Sequence, residues 1–200
     1  MTDRQTLALL KLVGFLLAAL PGLFLAWDYL DGSIAANPYQ DIIRRTGLWS
    51  MRLLILGIAV TPLASFSGWQ GLVRFRRMIG LFAAAYAAVH IGAWVVDYRW
   101  DWAFLGEEIL ARRYLTVGAI AALGLLPLLL SSNRAAKRSL GERGWRWLHR
   151  LVYPVALLVF VHYAMAKRFD RNDLVFYGLA LVLAFGWRLV RRTRTTEAAR

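Results

Sequence analysis

The sequence has 200 residues, of which 59% are hydrophobic, and its formal net charge is +13. It contains no cysteine. This excludes disulfide bonds, iron–sulfur clusters held by thiolates, and haem attached covalently through a Cys-x-x-Cys-His motif. A charge of this size also suits a nucleic-acid partner, but the Lys and Arg residues cluster in short segments between long apolar runs. That arrangement predicts a membrane protein that does not bind nucleic acid.

Six apolar runs predict an all-α integral membrane protein with six transmembrane helices, because about 20 apolar residues in a helix cross a bilayer. The predicted spans cover residues 7–27, 47–64, 77–97, 114–130, 147–166 and 174–190. The first run resembles a signal peptide, but it is long enough to span and no clear small-x-small cleavage site follows it, so we interpret it as a retained anchor. We predict that the segments between the spans are loops.

The distribution of charge predicts the orientation in the membrane. Lys and Arg dominate the N-terminus, the segments 65–75 and 131–146, and the C-terminal tail, whereas most acidic residues lie in 28–46, 97–113 and 167–173. By the positive-inside rule the basic side is cytoplasmic, so both termini are predicted to be cytoplasmic.

Two of the three histidines lie inside predicted spans, His90 in the third and His162 in the fifth. An ionisable side chain inside a bilayer is costly and therefore indicates function, and imidazole is a common ligand of haem iron. The two spans run in the same direction, and the two histidines lie at similar distances from the outer surface. This matched depth predicts that His90 and His162 bind the iron of one non-covalent haem between the third and fifth spans.

Other interpretations of these residues stay open. A histidine in a membrane helix can simply form a hydrogen bond between helices. The small residues around His90 would let a flat macrocycle approach the backbone, and they would equally let another helix approach; they are Ala83, Ala84, Ala85, Ala87, Ala88, Gly92 and Ala93. Met165 is interpreted as ordinary packing rather than as an axial ligand.

A second group of residues is predicted at the cytoplasmic end. Helical periodicity places Arg76 on nearly the same face as His90 and at the level of His149, the third histidine. A guanidinium stays protonated and is a poor iron ligand, but it suits a haem propionate or a flavin phosphate. His149 and His162 lie on different faces of an ideal helix, although Pro154 between them can kink it. A second haem at His149 therefore stays open, and Arg76 and Arg77 can equally be positive-inside anchors.

Several short segments, in this order and spacing over nearly the whole chain, resemble the MsrQ (YedZ) family. They are Thr61-Pro62-Leu63, Arg76-Arg77 with Gly80-Leu81, His90, Tyr114-Leu115-Thr116, Leu140-Gly141 with Trp145, Leu148-His149 with Val152-Tyr153, and His162-Tyr163. One departure is Arg112-Arg113, where the family pattern has a proline after the arginine. It affects the outer segment and not the histidines.

The resemblance implies a single ferric-reductase-like transmembrane domain over residues 1–200 of a bacterial inner-membrane protein, with b-type haem and with FMN as a further cofactor. It implies that His90, His149 and His162 match the family's three histidines. It also implies that electrons enter from quinone or a cytosolic flavin reductase and leave to MsrP, a periplasmic molybdopterin enzyme that reduces methionine sulfoxide in oxidised proteins. The chain would then be an electron-transfer subunit, with bis-imidazole ligation leaving no open iron site for a substrate.

Two rival functions remain from the sequence. A stand-alone transmembrane ferric reductase or oxidase would usually carry a nicotinamide and flavin domain after the last span, where only a short tail follows Val190. A haem-free transporter would use the histidines as proton-relay or packing residues.

Overall fold

A computed structural model describes residues 3–166 and 171–197. Within these residues, all regular secondary structure is helical. The helices are α1 (Asp3–Leu30), α2 (Pro38–Ser67), α3 (Arg76–Asp97), α4 (Trp102–Ala111), α5 (Arg113–Leu130), α6 (Arg134–Leu148), α7 (Val152–Met165) and α8 (Arg171–Glu197), with 3-10 turns at Gln70–Phe75 and His149–Leu151.

The prediction of six transmembrane helices is confirmed. Six helical segments are long and apolar enough to cross a membrane, namely Gln5–Leu30, Pro38–Ser67, Gln70–Asp97, Arg113–Leu130, Arg134–Met165 and Asn172–Val190. Their outward-facing side chains are largely apolar, as with Leu17, Phe24 and Leu123, which are more than half exposed. A surface of this kind suits lipid, where each helix satisfies its own backbone hydrogen bonds. The chain is a multi-pass membrane protein.

The core is built from two pairs of packed helices, α2 with α3 and α5 with α7. In the first pair the Ser50 hydroxyl donates a 2.9 Å hydrogen bond to the carbonyl oxygen of Ala83, which is itself buried. Ala83 therefore serves the close approach of α2, which was one of the two roles left open for the small residues of α3. Helix α8 packs against α2, where Arg188 donates to the carbonyl oxygen of Ile58 at 2.8 Å.

Helix α1 lies at the edge of the bundle and is tied to α3 by one tyrosine. The buried Tyr86 hydroxyl accepts the backbone N–H of Gly22 and donates to the carbonyl oxygen of Ala18, both at 2.9 Å. In a regular helix the N–H of Gly22, the residue after Pro21, would donate directly to the carbonyl oxygen of Ala18. Here the Tyr86 hydroxyl lies between these two groups. Polar groups of the α1 backbone are satisfied by this contact inside the membrane.

The predicted loop at 28–46 is wrong over its second half, because α2 begins at Pro38. The side chain of Asn37 accepts the backbone N–H of Gln40 and so caps the helix, and Pro38 takes the first helical position, where a proline costs no hydrogen bond. The added turns carry Gln40, whose amide donates to the carboxylate of Asp97 at 2.7 Å and links the start of α2 to the end of α3.

The predicted loop at 131–146 is also wrong, because these residues form most of α6. Asn133 caps this helix by accepting the N–H of Ala136. The strongly basic composition is compatible with a helix, because Lys and Arg are good helix formers. The helix is interrupted at Gly141, whose positive φ of 67° lies in a region that glycine adopts without strain.

Pro154 suggests a kink at its own position in the fifth predicted span, but the α-helix is interrupted before Pro154. The backbone forms a 3-10 turn at His149–Leu151, and α7 then begins at Val152. Pro154 falls in the first turn of α7, where no intrahelical N–H bond is lost. The predicted loop at 97–113 likewise contains a short helix, α4, capped by the side chain of Asp101.

The predicted segment 167–173 is described only in part, because residues 167–170 lie outside the described residues, as do 1–2 and 198–200. The single-domain extent 1–200 stays a prediction. In the segment between α3 and α5, Trp100 and Trp102 are 58% and 66% exposed, and tryptophan is enriched at membrane–water interfaces.

Candidate functional site

His90 of α3 and His162 of α7 face each other. Their ring centres lie 6.2 Å apart, and the two ring planes are nearly perpendicular, at 84°. Both side chains are only partly buried. The structure thus brings together the two histidines that their matched depth predicted to meet, and it does so across the space between the two helix pairs.

A backbone carbonyl of the neighbouring helix fixes the ring of His90. Its Nδ1 lies 2.7 Å from the carbonyl oxygen of Ile43 in α2. A carbonyl oxygen can only accept, so Nδ1 carries the proton and donates. In the neutral ring Nε2 is then the atom with the free lone pair, which is the form that binds a metal.

His162 is held in the same way on the other side. Its Nδ1 lies 2.6 Å from the carbonyl oxygen of Tyr114 at the start of α5. The tyrosine ring lies alongside, with ring centres 5.9 Å apart and an interplanar angle of 32°. By the same reasoning Nδ1 donates and Nε2 is free. Each helix pair therefore supplies one imidazole and the carbonyl that orients it.

His149 has a different environment at the other end of the bundle. Its ring stacks on that of Trp145, with centres 3.9 Å apart, and its Nδ1 lies 3.2 Å from the Trp145 carbonyl oxygen. The Trp145 indole is itself anchored, since it donates to the carbonyl oxygen of Ser131 at 3.0 Å. His149 is thus held by its own helical turn and not by a neighbouring span, and the structure does not bring it to the other two histidines.

Arginines gather near His149. Arg76 is close enough to both His149 and Arg188 for their charges to interact, and its side chain is exposed, as is that of Arg77. Arg188 reaches the same region from α8, with its guanidinium 4.7 Å from the centre of the Tyr153 ring. Its Nη2 donates to Ile58, while the buried Nη1 has no hydrogen-bond partner among the described residues. The Arg188 guanidinium is therefore only partly satisfied, and a buried nitrogen of this kind without a hydrogen-bond partner suits an anion at this end of the bundle.

The comparisons with known proteins agree with the resemblance in the sequence. Residues 46–160 match the family model described as "Ferric reductase like transmembrane component". The chain is 43% identical over 195 residues to the "Protein-methionine-sulfoxide reductase heme-binding subunit MsrQ" of Azospira oryzae, an alignment covering 96% of this chain and 83% of the relative. This chain belongs to the MsrQ family. Proteins of the same name from Xanthomonas axonopodis pv. citri and Caulobacter vibrioides are 40% and 38% identical, covering 87% and 88% of this chain and 81% and 85% of theirs.

The residues present fit the haem that membership of the MsrQ family implies. Two imidazoles on opposite sides of one metal ion, with metal–nitrogen bonds of about 2.0–2.1 Å, have ring centres roughly 6 Å apart. The observed separation is 6.2 Å. Both rings have the Nδ1–H tautomer, which leaves Nε2 for iron. The donor set and the separation of the two rings therefore fit bis-histidine ligation of one haem iron.

Sequence reasoning missed three parts of this arrangement. The acceptors of the two histidines are backbone carbonyls of Ile43 and Tyr114, and no residue type marks such an acceptor. The third part is Arg188, because nothing local in the sequence shows that its guanidinium lies against the Tyr153 ring. An arginine inside an apolar run was the available signal.

Proposed function

We propose that this chain is a membrane b-type cytochrome that relays electrons to a periplasmic molybdopterin methionine sulfoxide reductase of the MsrP kind. The observation that carries the proposal is the facing pair of His90 and His162, each with Nδ1 bonded to a backbone carbonyl. The absence of cysteine from the sequence supports non-covalent, b-type attachment. Three relatives whose names describe a heme-binding subunit of a protein-methionine-sulfoxide reductase support the reaction.

Haem iron, when bound, supplies reversible one-electron chemistry. His90 and His162 would hold the haem iron through Nε2, and the carbonyl groups of Ile43 and Tyr114 fix the orientation of the two rings. Among the described residues no cluster of three or more His, Asp or Glu could hold another metal ion. Two histidine ligands would leave no open position on the haem iron for a substrate, which favours electron transfer.

At the cytoplasmic end we propose that Arg76, Arg188 and His149 receive an anionic group, with Arg77 beside them. The phosphate of FMN and the propionate of a second haem share the chemistry that the guanidinium groups recognise. Support comes from the interaction of Arg76 with His149 and from the unpartnered Nη1 of Arg188. The electron donor, quinone or a cytosolic flavin reductase, would act on this side.

The proposed location is the bacterial inner membrane, with both termini cytoplasmic. The side that carries Arg76 and His149 is then the cytoplasmic side, and Asp97 and Gln40 mark the periplasmic side. The excess of Lys and Arg in the segments on the first side supports this orientation. The facing histidines lie nearer the second side, towards a periplasmic acceptor.

The testing experiment is the dithionite-reduced minus oxidised visible spectrum of the detergent-purified protein. We expect sharp α and Soret bands in the wild type and their loss in His90→Ala and in His162→Ala. His149→Ala tests the cytoplasmic end separately: a partial loss of the bands would indicate a second haem there, and unchanged bands would indicate that the haem is held by the facing pair alone. A wild-type protein that stays colourless after haem supplementation would overturn the proposal and favour a haem-free transporter.

A second measurement separates the proposed acceptor from a ferric reductase or oxidase. The reduced wild-type protein is mixed with a purified periplasmic molybdopterin methionine sulfoxide reductase, and reoxidation is followed optically. Fast reoxidation by the partner, and slow reoxidation by ferric citrate or oxygen, is the expected result. The opposite order would favour the reductase or oxidase.

A further inference from the structure

A glycine lies directly against each of the two facing histidines. A Cβ atom built on Gly47 of α2 would lie 2.7 Å from Nδ1 and 2.8 Å from Cε1 of His90. A Cβ atom built on Gly118 of α5 would lie 2.7 Å from Nδ1 and 2.8 Å from Cε1 of His162. Ordinary van der Waals contacts of a Cβ atom begin at 3.4 Å. Any side chain at either position would displace the ring.

Each glycine stands in a fixed relation to the carbonyl that accepts from its histidine. Gly47 follows Ile43 by one helical turn, and Gly118 follows Tyr114 by one helical turn. In an α-helix the carbonyl oxygen of residue i points along the axis to the N–H of residue i+4. The histidine reaches that oxygen only by passing over the Cα of residue i+4. A glycine there leaves the path open because it has no Cβ.

We infer that Gly47 and Gly118 are positioning residues for the two histidines. Each lets an imidazole reach a carbonyl of the adjacent helix, so that Nδ1 carries the proton and Nε2 is left free. The inference rests on the proposed function, because that function supplies the metal ion that the free Nε2 atoms would bind. It can be tested separately from that function, because the tautomer depends on the hydrogen bond to the carbonyl oxygen and can be measured in the apoprotein.

The repetition of the contact argues against general helix packing as its cause. Two helix pairs that differ in sequence produce the same glycine, carbonyl and histidine relation, with matching distances. Gly124, on the same helix as Gly118, shows what packing alone looks like. A Cβ atom there would lie 2.6 Å from Cγ2 of Val155 on α7, a contact without a polar group.

The hydrogen bond also has a chemical consequence for the ligand. An imidazole whose Nδ1–H is donated to an acceptor is a more basic metal ligand, and loss of such a partner typically weakens metal binding about 10- to 100-fold. A more basic ligand favours the ferric state. Removing the hydrogen bond is therefore expected to raise the reduction potential as well as to weaken binding.

The test compares Gly47→Ala and Gly118→Ala with two matched controls in full-length protein. The first control is Gly124→Ala, which introduces an equally close clash, but with Val155 and not with a histidine. Adding Val155→Ala relieves that clash. Gly57→Ala in α2 introduces a Cβ only 3.6 Å from Ile79, an ordinary contact. We expect about 10- to 100-fold weaker haem binding and a raised midpoint potential for the first two variants. Gly57→Ala, and the Gly124→Ala control with or without Val155→Ala, should keep the wild-type spectrum and potential when they fold.

A readout without haem comes from ¹⁵N-histidine NMR of the apoprotein, where three histidines give three ring systems. The wild type should show the Nδ1–H tautomer for His90 and His162, and each glycine variant should change only its own histidine. The proposal is overturned if both variants keep the wild-type tautomers and potential, or if Gly124→Ala shifts them as far. It is also overturned if Gly47→Ala and Gly118→Ala both fail to fold while Gly124→Ala folds, since the glycines would then serve helix assembly. A colourless wild type with the expected tautomers would contradict the haem function and leave this inference standing.

Discussion

His90 donates from Nδ1 to the carbonyl oxygen of Ile43, and this 2.7 Å hydrogen bond joins the two most extensively packed helices of the protein. The bond fixes the tautomer of the imidazole, because the carbonyl oxygen can only accept. The mirror relation of His162 to Tyr114 makes the two rings equivalent in chemistry. Equivalent ligands on one metal ion should act as a unit.

The double variant His90→Ala/His162→Ala should therefore lose no more haem than either single variant. Residues that serve one site are strongly non-additive, because removing the first already removes the interaction that the second contributes to. Haem content per protein, measured by pyridine haemochrome, decides the point. If each single variant retained about half of the wild-type haem and the double variant retained none, the two histidines would belong to two separate sites.

Tyr86→Phe should loosen α1. The substitution removes the hydroxyl that accepts from Gly22 and donates to Ala18, and the two backbone groups can recover only part of the loss by pairing with each other. We expect the free energy of unfolding to fall by about 1 kcal/mol, measured by SDS titration in mixed micelles. Tyr29→Phe is the control, because Tyr29 is 56% exposed. Equal stability of the two variants would contradict a structural role for the hydroxyl.

Asp41→Asn should destabilise the outer ends of α1 and α2. Its carboxylate is 4% exposed and lies 2.7 Å from Arg44 Nη2 and 2.8 Å from Arg45 Nε, and Arg45 also pairs with Asp28 of α1. The arginines are partly solvated, so we expect a loss of only about 1–2 kcal/mol in the same titration.

The matched control for Asp41→Asn is Glu142→Gln. Glu142 pairs with Lys137 at 2.9 Å, but both side chains are about half exposed, so screening by water leaves the pair weak. No measurable change is expected for this control. A loss in Glu142→Gln as large as that in Asp41→Asn would show that burial does not decide the strength of these pairs.

Arg188→Gln should weaken the binding of a phosphate at the cytoplasmic end. The variant removes a charge that faces Arg76 and a guanidinium with one unpartnered buried nitrogen. We expect about tenfold weaker binding of FMN, followed by quenching of flavin fluorescence, with Arg188→Lys intermediate.

Two comparisons make the Arg188 experiment specific. Riboflavin lacks the phosphate, so its binding should not respond to Arg188→Gln. Arg74→Gln removes an exposed arginine from the same side and should leave FMN binding unchanged. A loss that is equal for FMN and riboflavin would place the defect in the fold and not in recognition of the anion.

The orientation can be tested with single cysteines, because the sequence has none of its own. In intact spheroplasts a membrane-impermeant maleimide should label Ser33→Cys, between α1 and α2, and should leave Ala135→Cys of α6 unlabelled. Both positions are exposed. Permeabilised cells, where both should react, provide the control. Labelling of Ala135→Cys alone in intact spheroplasts would reverse the proposed topology.

The sequence by itself determined the membrane fold and the candidate ligands. Apolar length is a property of each segment, so six spans could be counted before any packing was known. The depth of His90 and His162 followed from their distance to the span ends, and the facing rings agree with it. The segment 131–146 was misjudged because charge marks a segment as lying outside the membrane but does not distinguish a loop from a helix.

Only the tertiary structure decided how the histidines are held. The partners of Nδ1 are backbone carbonyls, which every residue carries, so the register between α2 and α3 and between α5 and α7 selects Ile43 and Tyr114. The same register sets Gly47 and Gly118 against the rings, while other glycines of these spans contact nothing polar. Register depends on side-chain packing along two whole helices, so it cannot be predicted from a local sequence pattern in one of them.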